Sequence, residues 1–390
     1  MRLPVSQARL RPGIIELAQG YPAAGALPVA AWAQAVAGGL REYGSDALMY
    51  GHPTGPGPLL RWLCDRLGAA DGRVIRPGEV FVTAGASHAL ELVASLVLRP
   101  GDAVLVDSPT YHLALRVLAD HARLVPAPAD EHGLLPDETA KLLDALRAKG
   151  VRVPLLYLVP TYNNPTGGCL PQQRRLALVR LARRRGLLLV EDDTYRELAY
   201  DAPAPRSLYG LAEAGEVIRL GSFAKTVAPG IRLGFLCATE EFVARLADRG
   251  YVDSGGGVNH TNAVAMGWFG GTGAYDEHLG RVRERYRYRR DSLVRAVAEH
   301  LPAARFAVPA GGWFLWLRLS GVDTGALLPV AERHGVGYLP GARCFLPGAA
   351  GPAQEYLRLS FSMVAPELFA EGIRRLAAAV VEAQSVRSGV

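Results

Sequence analysis

The segment from residue 221 to 235, GSFAKTVAPGIRLGF, places a lysine among small and apolar residues, with an arginine seven positions later. Of the 43 lysines and arginines only three are lysine: Lys141, Lys149 and Lys225. The first two fall in DETAKLLDALRAKG, an amphipathic run that puts them on a solvated face. Lys225 has no such surface explanation. In apolar surroundings an ammonium loses the hydration that favours its charged form, so the amine deprotonates more easily. A neutral amine can attack an aldehyde and form a Schiff base. Taken alone, a lysine with a buried stem and a head reaching solvent or a carboxylate is the commoner reading.

The neighbours change that balance. Ser222 and Arg232 supply a hydroxyl and a two-pronged guanidinium, a pairing suited to a phosphate. TAGASHAL (83–90) ends a predicted strand and opens a helix. Small residues there, Ala86 and Ser87 among them, let backbone amides approach an anion, and the helix dipole favours negative charge. Many strand-to-helix turns are glycine-rich for geometry alone. VPTYNNPTGG (159–168) follows another strand, and asparagine before proline is commonly turn chemistry. VEDDTYRE (190–197) offers three consecutive acids after an apolar strand. Surface acids are the ordinary reading, yet LLLV carries the run toward the interior, where a carboxylate needs a cation. A protonated pyridine nitrogen would meet that need.

The elements that position these groups alternate. EVFVT (79–83), AVLVD (103–107), LLYLV (155–159), LLLVED (187–192), VIRL (217–220) and RLGFLC (232–237) read as strands with helices between them. That alternation predicts a mostly parallel sheet covered on both faces. A long helical stretch around 272–300 leads to GGWFLWLRL and YLRLSFS, two strand-like runs in a smaller α+β region joined by N-terminal residues. In open α/β sheets ligands gather at the carboxyl ends of the strands. Each polar group above lies at or just beyond such an end.

With 390 residues, 49% hydrophobic and 21% charged, the chain reads as a soluble globular protein of two domains. It opens on no charged-then-apolar leader and holds no run long enough to span a bilayer, which predicts a cytoplasmic protein without a membrane partner. Cys64, Cys169, Cys237 and Cys344 lack paired spacing, which argues against a metal site or a disulfide framework. The net charge of +6 is carried by dispersed arginines. Clusters such as RRLALVRLARRRG fit helices with solvated basic faces, and no nucleic-acid partner is expected.

In this order and spacing, LAQGYP, YGHPTGPGPLL, TAGASHALEL, DSPTYH, NNPTGG, EDDTY, SFAKTVAPGIRLG and YLRLSFS resemble the fold-type I, pyridoxal-phosphate-dependent aminotransferases of class I/II, over essentially the whole chain. The resemblance implies an α/β fold: a large cofactor-binding domain (45–270) with a mostly parallel seven-stranded sheet flanked by helices, and a smaller α+β domain (271–390). Residues 1–44 would form an N-terminal arm and part of the small domain. Lys225 would carry the pyridoxal 5'-phosphate as a Schiff base and move the proton at the α-carbon, with Asp192 and Tyr195 as its catalytic partners. Asp192 would pair with the pyridinium nitrogen, and Asn164 and Tyr195 would hydrogen-bond the ring hydroxyl. Tyr111 would stack on the ring, although a strand-end core tyrosine is the alternative. Ser222, Arg232 and the backbone of Ala86 and Ser87 would hold the phosphate. Tyr50 would reach the cofactor phosphate of a second subunit, which implies a homodimer with shared sites. Arg358 would clamp the substrate α-carboxylate, with Gly20, Tyr21 and Asn164 beside it. His112 and the 254–260 run, SGGGVNH, are further pocket candidates.

Two departures stand out. Relatives usually carry polar side chains where this chain has Ala86, Ser87 and His88, so the phosphate cup leans on backbone. SGGGVNH also differs from the best-known members, which leaves substrate choice open. The activity implied is transfer of an α-amino group from an amino acid to a 2-oxo acid by ping-pong chemistry. The same first steps serve elimination, replacement, cyclisation or oxidation in specialised metabolism, the alternative reading. A ligand-sensing regulator is a third possibility, because related bacterial regulators share the catalytic domain. The absence of their winged-helix segment and the intact Lys225, Asp192 and Arg358 favour an enzyme.

Overall fold

Seven strands form the larger sheet: β1 (Val80–Thr83), β2 (Ala103–Val106), β3 (Arg123–Pro126), β4 (Leu155–Leu158), β5 (Leu188–Asp192), β6 (Val217–Ser222) and β7 (Gly234–Cys237). The computed structural model describes residues 6–7, 11–213, 215–255, 257–347 and 352–388. The strand order is β1-β7-β6-β5-β4-β2-β3. All neighbours are parallel except β7, which runs against both β1 and β6. Most of these strands are short and apolar because both faces are covered. Helices Ala86–Val97, His112–Ala119 and Glu240–Ala247 pack on one face; Gly57–Asp71 and Gln172–Arg185 pack on the other. The edge strand β3 carries an arginine and a proline, and its sequence, RLVP, does not read as a strand. Edges tolerate such residues because one ladder is left open.

The reversed β7 matters for the site. Its register pairs Gly234 with both Ser222 and Thr83. The residues just before β7 therefore reach the same sheet edge as the carboxyl ends of β1 and β6, and Arg232 comes with them. Gly234 is required there, since a Cβ would lie 2.6 Å from the Gly221 carbonyl oxygen and 2.8 Å from the Gly85 Cα.

A second, antiparallel sheet has the order β8-β10-β9, with β8 (Phe314–Arg318), β9 (Leu339–Pro340) and β10 (Tyr356–Ser360). The N-terminal residues Ile15–Glu16 pair in parallel with Val336–Gly337 beside it. The helix Val29–Tyr43 instead packs on the helix His260–Gly271, with Gly38 so close to Trp268 that a Cβ would lie 2.3 Å from the indole. Among the described residues no helix is long and apolar enough to cross a membrane.

Candidate active site

Strand alternation sorts the three acids that end β5. Glu191 and Asp193 face one side of the sheet and Asp192 the other. Glu191 accepts the Leu208 and Tyr209 amides at 2.9 and 3.0 Å, and Arg175 lies 3.8 Å away. Asp193 pairs with Arg219 at 2.8 Å, and Arg219 reaches Asp71 at 2.9 Å. Asp192 makes no such pair among the described residues. Its Oδ2 accepts the Tyr157 hydroxyl at 2.8 Å, and its Oδ1 accepts the Thr194 hydroxyl at 2.6 Å and amide at 3.2 Å. Burial pushes the Asp192 carboxyl up, and these donors oppose the shift.

Lys225 follows β6 and is half-buried. Its Nζ lies 5.0 Å from the centroid of the Trp313 ring and 5.8 Å from that of Tyr195. Burial lowers its pKa to about 8; nearby Asp192 resists the shift, while Arg358 and Arg232 add to it. The shift has the direction expected for an amine in apolar surroundings.

Arg358, on β10, is only 4% exposed. Its Nη1 donates to Asn164 Oδ1 and its Nη2 to the Ala18 carbonyl, both at 2.6 Å. The guanidinium sits 4.0 Å from the centroid of the Phe314 ring, and Nε has no partner. No carboxylate pairs with it among the described residues, and burial lowers its pKa. An uncompensated buried cation costs several kcal/mol. Gly20 lies over Phe314, where a Cβ would come 2.8 Å from the ring, and the Tyr21 carbonyl accepts the Ser362 hydroxyl at 2.7 Å.

The two asparagines of NNPTGG divide their work. Asn163 builds the loop: its amide group donates to Asp107 at 3.1 Å and to the Val159 carbonyl at 3.2 Å, while its oxygen accepts from Thr166. Asn164, next in the chain, faces Arg358.

At the far end, Gly85 (φ +97°) opens the helix Ala86–Val97 without a side-chain cap, which leaves the first-turn amides available to an anion. Ala86 is half-buried and Ser87 exposed. Arg232 (φ +48°) donates to the carbonyls of Ala84 at 2.7 Å and Pro229 at 3.2 Å. Ser222 Oγ accepts the Ala224 amide at 3.2 Å. His88, which stands where relatives were expected to offer polar contacts, accepts the Ala84 amide on Nδ1 at 3.0 Å and so shapes the turn.

Tyr111 caps the helix His112–Ala119 and is half-buried. Burial, with Asp192 adding to it, pushes its phenol up to about 12. Tyr195 packs edge-on against Trp313 and Phe314 at 5.9 and 5.7 Å. His112 has a buried, unpartnered Nδ1, and burial lowers its pKa to about 4. Tyr50 stands apart, 84% exposed, next to exposed Leu48 and Met49. In the 254–260 run Gly257 bridges to Gly51 and Asn259 donates to the Arg232 carbonyl at 3.1 Å; Gly256 lies outside the described residues. Tyr157, Thr194 and Trp313 are not singled out by the sequence. The apolar strand LLYL gives no local sign that its one hydroxyl meets an acid on the neighbouring strand.

Residues 12–376 match the family described as aminotransferase class I and II. The chain is 36% identical over 381 residues to the 2-aminoadipate transaminase of Thermus thermophilus, covering 95% of this chain and 91% of the relative. It is 32% identical over 378 residues to aromatic-amino-acid aminotransferase 1 of Thermococcus litoralis, covering 95% and 88%. Among solved structures, the kynurenine aminotransferase of Pyrococcus horikoshii superposes with a TM-score of 0.88 at 30% identity, covering 95% of this chain and 91% of that one. The chain belongs to the class I and II aminotransferases. Its activity is amino-group transfer through pyridoxal 5'-phosphate.

The residues fit that cofactor. A cleft that brings together a deprotonatable amine, a buried acid without a cation and a buried cation without an acid offers a partner for the aldehyde, the ring nitrogen and a substrate carboxylate. The uncapped helix start beside Ser222 and Arg232 offers one for the phosphate.

Proposed function

We propose that Lys225, Asp192 and Tyr195 carry the transfer, with Arg358 holding the α-carboxylate of an amino acid that bears a large side chain. The observation that carries this reading is the unpaired guanidinium of Arg358, buried and fixed by Asn164 and Ala18. Bound in this cleft, pyridoxal phosphate supplies an aldehyde that takes up the amino group and a ring that withdraws electrons from the α-carbon. Lys225, whose pKa burial lowers to about 8, would hold the cofactor through its amine and would take and return the α-proton. The Asp192 carboxylate holds the proton on the ring nitrogen. Tyr111 would cover the ring, and Asn164 and Tyr195 would bind its hydroxyl. Ser222, Arg232 and the amides of Ala86 and Ser87 bind the phosphate. Gly20 and Tyr21 line the substrate side.

A large side chain is the choice supported by the relatives, which are named for aromatic amino acids, 2-aminoadipate and kynurenine. The exposed run Leu48, Met49 and Tyr50 supports a homodimer in which Tyr50 completes the second subunit's phosphate site. The division into 1–44, 45–270 and 271–390, and a cytoplasmic location, complete the reading. The test is to load the purified protein with pyridoxal phosphate and offer a panel of amino acids with 2-oxoglutarate. Release of 2-oxo acid together with glutamate is expected for large side chains. Ammonia or a rearranged carbon chain in place of glutamate would reject transfer. Sedimentation at several concentrations reports the dimer.

A further inference from the structure

The acid that this reading assigns to the ring nitrogen does not stand alone. β4 and β5 are parallel neighbours, with Tyr157 opposite Val190, two residues before Asp192. Tyr157 and Asp192 point from the same face of the sheet, and both are buried. The phenol donates to Oδ2 at 2.8 Å while Thr194 supplies both donors to Oδ1. Each carboxylate oxygen thus has its own anchor, one on β4 and one in the turn after β5, which removes the rotation that a single anchor would leave. Tyr157 is 0% exposed and burial pushes its ionisation well above the usual phenol range, so the hydroxyl remains a donor at every working pH.

We propose that Tyr157 is a positioning residue for the cofactor: its hydroxyl orients the Asp192 carboxylate and keeps it ionised toward the ring nitrogen. The proposal rests on the assignment of Asp192 above. The geometry accounts for a difficulty in that assignment, because a carboxyl so deeply buried would otherwise favour its neutral form, which cannot balance a pyridinium. A donor aimed at the charged form counters that preference. The other titratable groups whose charge reaches the pair are Tyr111, Asp107, Asp193, Tyr195 and Lys225. Among the described residues none of them hydrogen-bonds Asp192, so the two anchors hold the carboxylate itself.

The experiment titrates cofactor-free protein with pyridoxal phosphate and records the pH profile of the visible absorbance for the natural protein, Tyr157→Phe and Asp192→Asn. Loss of a hydrogen bond to a charged group predicts affinity for pyridoxal phosphate weaker by about 10–100-fold in Tyr157→Phe. The absorbance profile should shift in the direction seen for Asp192→Asn, with kcat falling more than KM changes. Site-specific 3-fluorotyrosine at 157, a stronger donor, should move the affinity the opposite way, a readout that survives if the phenylalanine variant fails to fold. Unchanged affinity and profile in Tyr157→Phe beside a marked change in Asp192→Asn would overturn the role of Tyr157 alone. No change in Asp192→Asn would overturn the assignment of Asp192 itself.

Discussion

Two groups of buried charges lie back to back at the end of β5, and they are built on opposite terms. On one face Asp71, Asp193, Arg196 and Arg219 close on one another: Arg219 bridges Asp71 and Asp193 at 2.9 and 2.8 Å, and Arg196 approaches Asp71 at 3.4 Å. Burial alone would raise the Asp71 carboxyl, but Arg219, Arg196 and the donors of Ser207 hold it below its ordinary value. On the other face Asp192, Lys225 and Arg358 share a cleft without closing into an ion pair. Their pKa values move toward the neutral form, each led by burial. Pairs that satisfy each other do structural work; under the proposed function, charges kept apart in the cleft would be met by a ligand that carries the missing signs.

The largest effect expected from this contrast is on turnover. Lys225→Ala removes the amine proposed to attach the cofactor and move the proton, and should lower kcat by about 10⁴-fold, the upper end of general acid–base contributions. The fold should persist, because no ion pair is lost. Steady-state kinetics with circular dichroism separates the two, and turnover within tenfold of the natural protein would end the assignment. Arg219→Leu should do the reverse, lowering stability by about 3–5 kcal/mol as Asp71 and Asp193 lose their shared partner. Chemical denaturation of the cofactor-free protein measures it.

Arg358→Leu sharpens the comparison from the cleft side. Its cost to stability should stay within about 1–2 kcal/mol, since two hydrogen bonds are lost while an unpaired cation leaves the interior. Its cost to binding of an amino acid through the α-carboxylate should be about 2–5 kcal/mol. If Arg358→Leu unfolds the chain as readily as Arg219→Leu, the two clusters are alike and the contrast fails.

Much of the cleft is legible in the sequence because its parts travel in short local motifs. SFAK carries Lys225 and NNPTGG carries Asn164; YLRLSFS carries Arg358, and the strand phase of VEDD explains why Asp192 alone of three acids turns to the cleft. What stays hidden depends on pairing between strands. An apolar run does not encode direction, so the reversal of β7 that delivers Arg232 to the site is invisible in RLGFLC. The edge strand β3 is masked by its arginine and proline. Tyr157 meets Asp192 across 35 residues through a strand register, and the closed cluster joins Asp71 to Arg219 across 148.

The subtlest test of the contrast is the reactivity of the three amines. In cofactor-free protein a small acylating reagent attacks only the deprotonated amine, so the extent of modification against pH traces each lysine's pKa. Peptide mapping by mass should give Lys225 a midpoint of about 8, where burial has removed the hydration of its charged form. Lys141, held 2.7 Å from Glu138 on the surface, is shifted up and should still be gaining reactivity at the highest pH used. The sign of each neighbour's effect is fixed in advance. Arg358→Leu removes a positive charge that favours the neutral amine, so the Lys225 midpoint should rise. Asp192→Asn removes a negative charge that favours the ammonium, so it should fall. Arg219→Leu, across the sheet in the closed cluster, should leave it where it is. Coincident profiles for Lys225 and Lys141 would mean that the amine is solvated, and the open cleft would then be no different from the protein surface.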